Sequence, residues 1–153
     1  MKVEDVMTRA VILDSADDTL AEAAAKMREH QTGSLLVMDE KKLIGIFTER
    51  DLLKAVAKGM DPKSTRIDEE MTADVLTIGP GATLREAAAL MATKWIRHLP
   101  VVDQGEVLGV ISQRDLTGVL SQMLAEPDSP EILSQEELPR AKRLRRIEAG
   151  DLD

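Results

Sequence analysis

The chain is one unit written twice. Displaced by 64 residues, positions 7–52 align with 71–116 without a gap, and 17 of the 46 pairs are identical. The matches include Met7-Thr8 with Met71-Thr72, Thr19-Leu20 with Thr83-Leu84, Glu22 to Ala25 with Glu86 to Ala89, and Arg50-Asp51-Leu52 with Arg114-Asp115-Leu116. A repeat of this length is a supersecondary unit too small to bury both faces of its own sheet, so two copies are expected to share a core about a pseudo-two-fold axis, with a cleft between them.

Each copy reads as β-α-β-β-α. A short β-like segment (11–13; 75–78) precedes Thr19 or Thr83, and each threonine opens Thr-x-x-Glu, the capping-box signature of a helix start. Leu20, Ala23, Ala24 and Met27, repeated as Leu84, Ala87, Ala88 and Met91, fall at i, i+3, i+4, i+7 and predict an inner helix face filled by small residues. Two apolar runs then form a hairpin (35–38 and 43–47; 99–102 and 107–111). A second helix follows, over 48–58 with Gly59 as its stop and over 112–124 in the second copy. The fold class is therefore α/β (α+β), with repeat one at 1–62, repeat two at 63–126 and a charged tail at 127–153.

Composition narrows the function. With only Phe47 and Trp95 as aromatics and a net charge of −8, the chain has neither the stacking platforms nor the basic surface that nucleic acid requires. It has no cysteine, hence no disulfide, thiol nucleophile or thiolate site. No apolar run approaches the roughly 18 residues of a membrane span, Met1-Lys2-Val3-Glu4-Asp5 does not read as a signal peptide, and the cytoplasm is the expected compartment. His30 and His98 are too few, and at non-equivalent repeat positions, for a metal site. No nucleophile, base and orienting group come together as catalysis requires, so the chain is not expected to be an enzyme.

The motif that carries chemistry is Gly-h-h-Thr/Ser-x-x-Asp: Gly45-Ile46-Phe47-Thr48-Glu49-Arg50-Asp51 and Gly109-Val110-Ile111-Ser112-Gln113-Arg114-Asp115. A strand ends at the hydroxyl residue and a helix begins. Open backbone N–H groups and the helix dipole there suit a phosphate, and a carboxylate three residues on suits the two hydroxyls of a ribose. The same pattern is also a capping box that needs no ligand.

Doubled in order and at constant spacing, these motifs, with Val6-Met7-Thr8, Glu70-Met71-Thr72 and Arg97-His98-Leu99-Pro100-Val101-Val102-Asp103, resemble the cystathionine-β-synthase (CBS) domain family, whose members come as tandem pairs called Bateman modules. The resemblance covers about residues 3–124. It implies a stand-alone regulatory sensor that binds an adenosine-containing nucleotide such as AMP, ADP or ATP between its repeats. Asp51 and Asp115 would hold ribose, Thr48 and Ser112 phosphate or ribose, and apolar strand residues, Pro100 among the site set, the adenine. Arg97 and His98 stand where the family reaches phosphate; the first copy has Gly33 and Ser34 instead, so the two sites should differ. The alternative is a ligand-free structural module that binds protein.

A homodimer is expected through the second helices, 50–58 and 114–124, whose spare apolar positions are Leu52, Leu53, Val56, Leu116, Val119, Leu120 and Met123. The effector partner that answers to the nucleotide is not named by the sequence. The tail carries Glu131, Glu136 and Glu137, then Arg140, Lys142, Arg143, Arg145 and Arg146. It is expected to form a short basic helix docking on residues 1–126, which hold 15 basic and 21 acidic groups.

Overall fold

A computed structural model describes residues 1–9 and 12–124. The elements in chain order are α1 (Val3–Val6), β1 (Leu13–Asp14), α2 (Leu20–Glu29), β2 (Ser34–Asp39), β3 (Lys42–Thr48), α3 (Glu49–Ala57), α4 (Ile67–Glu70), α5 (Leu84–Lys94), β4 (His98–Asp103), β5 (Glu106–Ser112) and α6 (Gln113–Met123). The expected tail helix, and Val11 of the first expected strand, lie outside the described residues. No described helix is long and apolar enough to cross a membrane.

The local rules act as the sequence predicts. Thr19 Oγ1 accepts the Glu22 N–H at 3.2 Å while Glu22 Oε2 accepts the Thr19 N–H at 2.7 Å, and Thr83 with Glu86 repeats both bonds. These bonds to ionised carboxylates hold Glu22 and Glu86 below the usual glutamate range. Leu20, Ala23 and Met27 are buried on α2, and Ala87 and Met91 on α5. Ala88 departs from the expected inner face and is exposed. The hairpins pair Ser34–Asp39 with Lys42–Thr48 and His98–Asp103 with Glu106–Ser112, each with a register shift beside its glycine, at Val37/Met38 and Val101/Val102. β1 adds in parallel to β2. Its expected counterpart at 75–78 is no strand, only a parallel bridge from Ile78 to Val101.

Two compact units emerge: one holds 12–76, the other 1–9 with 77–124. The opening segment of each repeat packs with the body of the other copy. In one unit Lys2 bridges Thr83, the Val3 N–H donates to Ala82 C=O at 2.8 Å, and Thr8 bridges Val110. In the other, Arg66 bridges Thr19, the Ile67 N–H donates to Asp18 C=O at 2.8 Å, and Thr72 bridges Ile46. Val3 and Ile67, equivalent by the repeat, are each fully buried and anchor a one-turn helix, α1 or α4, that sequence reading passed over.

Each unit has its own core. Leu20, Ala23, Met27, Leu35, Val37, Phe47, Ala55 and Ile67 fill one, and Val3, Val6, Met7, Ala87, Met91, Leu99, Val101, Ile111 and Val119 the other. Val119 therefore belongs to a core and not to the spare apolar face of α6, because the helix turns that position inward under α5.

The repeated glycine of the hairpin exists for the exchanged segment. A Cβ on Gly109 would lie 2.6 Å from the Thr8 carbonyl oxygen and 3.1 Å from Met7 Sδ, and one on Gly45 would collide with Met71 Sδ. At Gly109 the obstacle is backbone held by two hydrogen bonds with Val110, whereas at Gly45 it is the end of a flexible side chain. Gly109→Ala is thus expected to cost about 1–3 kcal/mol and Gly45→Ala less, an order readable from urea unfolding of the two variants.

Candidate functional site

The strand-to-helix junction recurs in both units with the same bonds. Thr48 (φ −124°, ψ 166°) and Ser112 (φ −116°, ψ 161°) are extended N-caps closing β3 and β5. Thr48 Oγ1 accepts the Asp51 N–H at 3.3 Å, and Asp51 Oδ2 accepts from the Thr48 N–H at 2.9 Å and its hydroxyl at 3.0 Å. Ser112 Oγ accepts the Asp115 N–H at 3.3 Å, and Asp115 Oδ2 accepts from the Ser112 N–H at 2.8 Å and its hydroxyl at 2.7 Å. Both aspartates are complete capping boxes and both are buried, at 8% and 6% exposure. In each, one carboxylate oxygen, Oδ2, takes all these bonds.

The helix N-termini are less open than the sequence suggests. The Glu49 N–H donates to Gly33 C=O at 3.1 Å and the Gln113 N–H to Arg97 C=O at 2.9 Å, so the first helical donor is spent on the residue before β2 or β4. With the third donor in the cap, two of the expected open N–H groups are occupied within the chain.

That same bond brings the basic candidates to the junction in the 77–124 unit. Arg97 is exposed and tied by its carbonyl to Gln113, and His98 opens β4 directly across from Ser112. Arg97, His98, Ser112 and Asp115 therefore meet at one end of the hairpin. In the other unit Gly33 and Ser34 hold these places, with Ser34 across from Thr48. Pro100 sits deeper: it is fully buried, pairs with Val110, and its carbonyl accepts the Ile78 N–H at 3.0 Å. Among the described residues no group of three or more His, Asp or Glu is placed to hold a metal ion.

The model of the CBS domain matches the chain twice, over residues 3–58 and 66–122. The chain belongs to the CBS-domain family. The CBS domain-containing protein YhcV of Bacillus subtilis is 36% identical over 115 residues, 74% of this chain and 81% of that protein. The solved structure of a putative signal-transduction protein with CBS domains from Burkholderia ambifaria superposes with a TM-score of 0.79 at 33% identity, covering 84% of this chain and all of that one. The CBS domain pair of MJ0100, solved in complex with 5-methylthioadenosine and S-adenosyl-L-methionine, superposes with a TM-score of 0.75 at 27% identity, covering 80% of this chain and 98% of that one. CBS domain pairs are regulatory modules, and the mixed α+β architecture of the two repeats is theirs.

Sequence reading missed one feature of the junction, the carbonyls of Gly33 and Arg97 on the first turn, because nothing in residue type marks a backbone acceptor. Removal of either cap hydroxyl, by Thr48→Ala or Ser112→Ala, leaves the Asp51 or Asp115 N–H without its acceptor. Each is expected to lower stability by about 1 kcal/mol in chemical denaturation, while Thr48→Ser stays near the parent.

Proposed function

We propose that this CBS domain pair is a regulatory sensor of an adenosine-containing nucleotide, held at the two Thr/Ser-x-x-Asp junctions, with Asp51 and Asp115 accepting the ribose hydroxyls. The observation that carries the reading is the half-used carboxylate. Each aspartate caps its helix through Oδ2 alone, and Oδ1 makes no hydrogen bond among the described residues, so one group can cap and recognise at once. A carboxylate oxygen beside a helix N-terminus suits a diol donor, and the adenosine compounds bound by the MJ0100 pair carry that diol.

Arg97 and His98 would give the junction at Ser112 a preference for phosphate that the junction at Thr48, with Gly33 and Ser34, lacks. AMP, ADP and ATP are the ligands this arrangement suits, and Pro100, buried in β4, would act by shaping the strand behind the adenine and not as a polar contact. The module acts by reporting occupancy to an effector protein and not by catalysis, in the cytoplasm. The contrary reading, a ligand-free interaction module, draws support from the completeness of both capping boxes without any ligand.

Calorimetry with the single and double alanine variants separates the two. Asp51→Ala and Asp115→Ala should each abolish ribose-dependent binding at one junction, weakening it at least about tenfold, at a stability cost of about 0.5–2 kcal/mol for the lost cap. The gain in affinity from adenosine to ATP should vanish with Asp115→Ala and persist with Asp51→Ala. A double variant that binds every adenine nucleotide as the parent does leaves the aspartates as caps only.

The sensor reading includes a homodimer through α3 and α6. Leu53 and Val56 on α3 and Leu120 and Met123 on α6 are exposed, and between α5 and α6 runs an apolar groove of about 600 Å³ lined by Met1, Leu84, Ala88, Leu116 and Met123. Light scattering at micromolar concentration should give twice the chain mass, and Leu120→Glu with Met123→Glu should reduce it to one.

A further inference from the structure

We propose that Asp14 and Asp18 form a proton-sharing carboxyl pair that makes the fastening of residues 65–70 onto the 16–18 turn depend on pH.

The pair occupies a place where the second copy has none. By the 64-residue period Asp14 stands where Ile78 does and Lys26 where Leu90 does, and Ile78 and Leu90 pack on the core of their unit. The first copy has thus put an ion pair into an apolar position. Asp14 is buried, its side chain fully so, and Lys26 Nζ reaches its Oδ1 at 2.8 Å. Its other oxygen, Oδ2, is buried with no donor among the described residues. A buried acceptor left in that state is costly, and a neighbouring carboxyl that carries a proton is the donor at hand.

Asp18 is that neighbour. Its Oδ2 lies 3.8 Å from the same Lys26 Nζ, and its side chain is 35% exposed, so it exchanges protons with solvent readily. The hydrogen bond with Asp14, then burial, then the Asp14 charge push the Asp18 carboxyl from the ordinary 3.8 to about 6, against the pull of Lys26. Lys26 is raised in turn by its bond to Asp14. With one proton shared, two carboxyls and one ammonium sum to zero; without it a net negative charge stays beside the buried Asp14 carboxylate.

The other groups facing the pair add to that charge or are neutralised elsewhere. Glu22 on α2 is committed to the Thr19 cap, and its charge raises Asp18 further. Asp17 is held by Arg66 at 2.8 Å, and Arg66 also pairs with Asp68 at 2.6 Å. β2 presents Val37 opposite Asp14. The turn that carries Asp18 is also the anchor of the exchanged segment: Asp18 C=O accepts the Ile67 N–H, Ala16 C=O the Asp68 N–H, and the Leu20 N–H donates to Thr65 C=O.

The sign follows from linkage. The folded chain binds this proton more tightly than the unfolded chain, so the stabilisation is complete below 3.8 and is lost as pH rises through about 6. The test is a carbon-detected NMR titration of the aspartate carboxyls in the full chain, with amide exchange at Ile67. Asp18 should titrate near 6 in the parent and return to the ordinary range in Asp14→Asn. Corrected for intrinsic rate, Ile67 exchange should rise about tenfold between pH 5 and 7.5 in the parent and stay level in Asp18→Asn. An Asp18 midpoint near 3.8 in the parent, or an Ile67 pH dependence shared by parent and Asp18→Asn, overturns the proposal; the second arm stands even if Asp14→Asn does not fold.

Discussion

The close approach of a backbone segment to a strand glycine is the contact on which the architecture rests. Thr8 lies in a two-bond bridge with Val110 directly over Gly109, and Thr72 with Ile46 beside Gly45. A Cβ at Gly109 would press on the Thr8 backbone itself, whereas one at Gly45 would meet the flexible end of Met71. Because each opening segment sits on the hairpin of the other copy, the two repeats cannot be separated into independent chains without stripping Val3 or Ile67 from a core. Removing either buried residue from water-free packing is worth about 1.5–3 kcal/mol before any hydrogen bond is counted.

The hairpin that receives the segment also delivers the candidate site. Two residues past the receiving position, the strand ends at Thr48 or Ser112 and the helix cap begins, so the strand that fixes the exchange also fixes the aspartate. A carboxylate whose one oxygen is bound by the cap is oriented at no further cost in side-chain entropy, and that prior ordering is what makes a recognition group effective. In the proposed reading, stability and recognition are carried by different oxygens of one side chain.

Most of this was legible because it is local. Thr-x-x-Glu, the i, i+3, i+4, i+7 face and the paired apolar runs predict α2, α5 and both hairpins, and the helices at 49 and 113 follow from Thr48 and Ser112. The exchange was not legible, since repeat period gives similarity and not partnership: Met7 matches Met71 whichever hairpin each one covers. The one-turn helices were nonetheless signalled, by Asp5 and Glu69 three residues after Lys2 and Arg66, where each acid accepts its cap residue's N–H at 2.7 Å. Asp14 and Lys26 were visible as departures from Ile78 and Leu90, but only burial shows that the departure places charge in a core.

The central claim is that Asp51 and Asp115 read a ribose diol, and the most direct measurement is a thermal-shift comparison of adenosine compounds with their 2′,3′-dideoxy analogues on the intact protein. A ligand of the folded state stabilises it by about 2.7 kcal/mol at a hundred times its Kd. The account predicts a rise in Tm with AMP or adenosine that disappears with 2′,3′-dideoxyadenosine at equal concentration. An equal rise with the dideoxy compound, or none with any adenosine compound up to millimolar concentration, would contradict it.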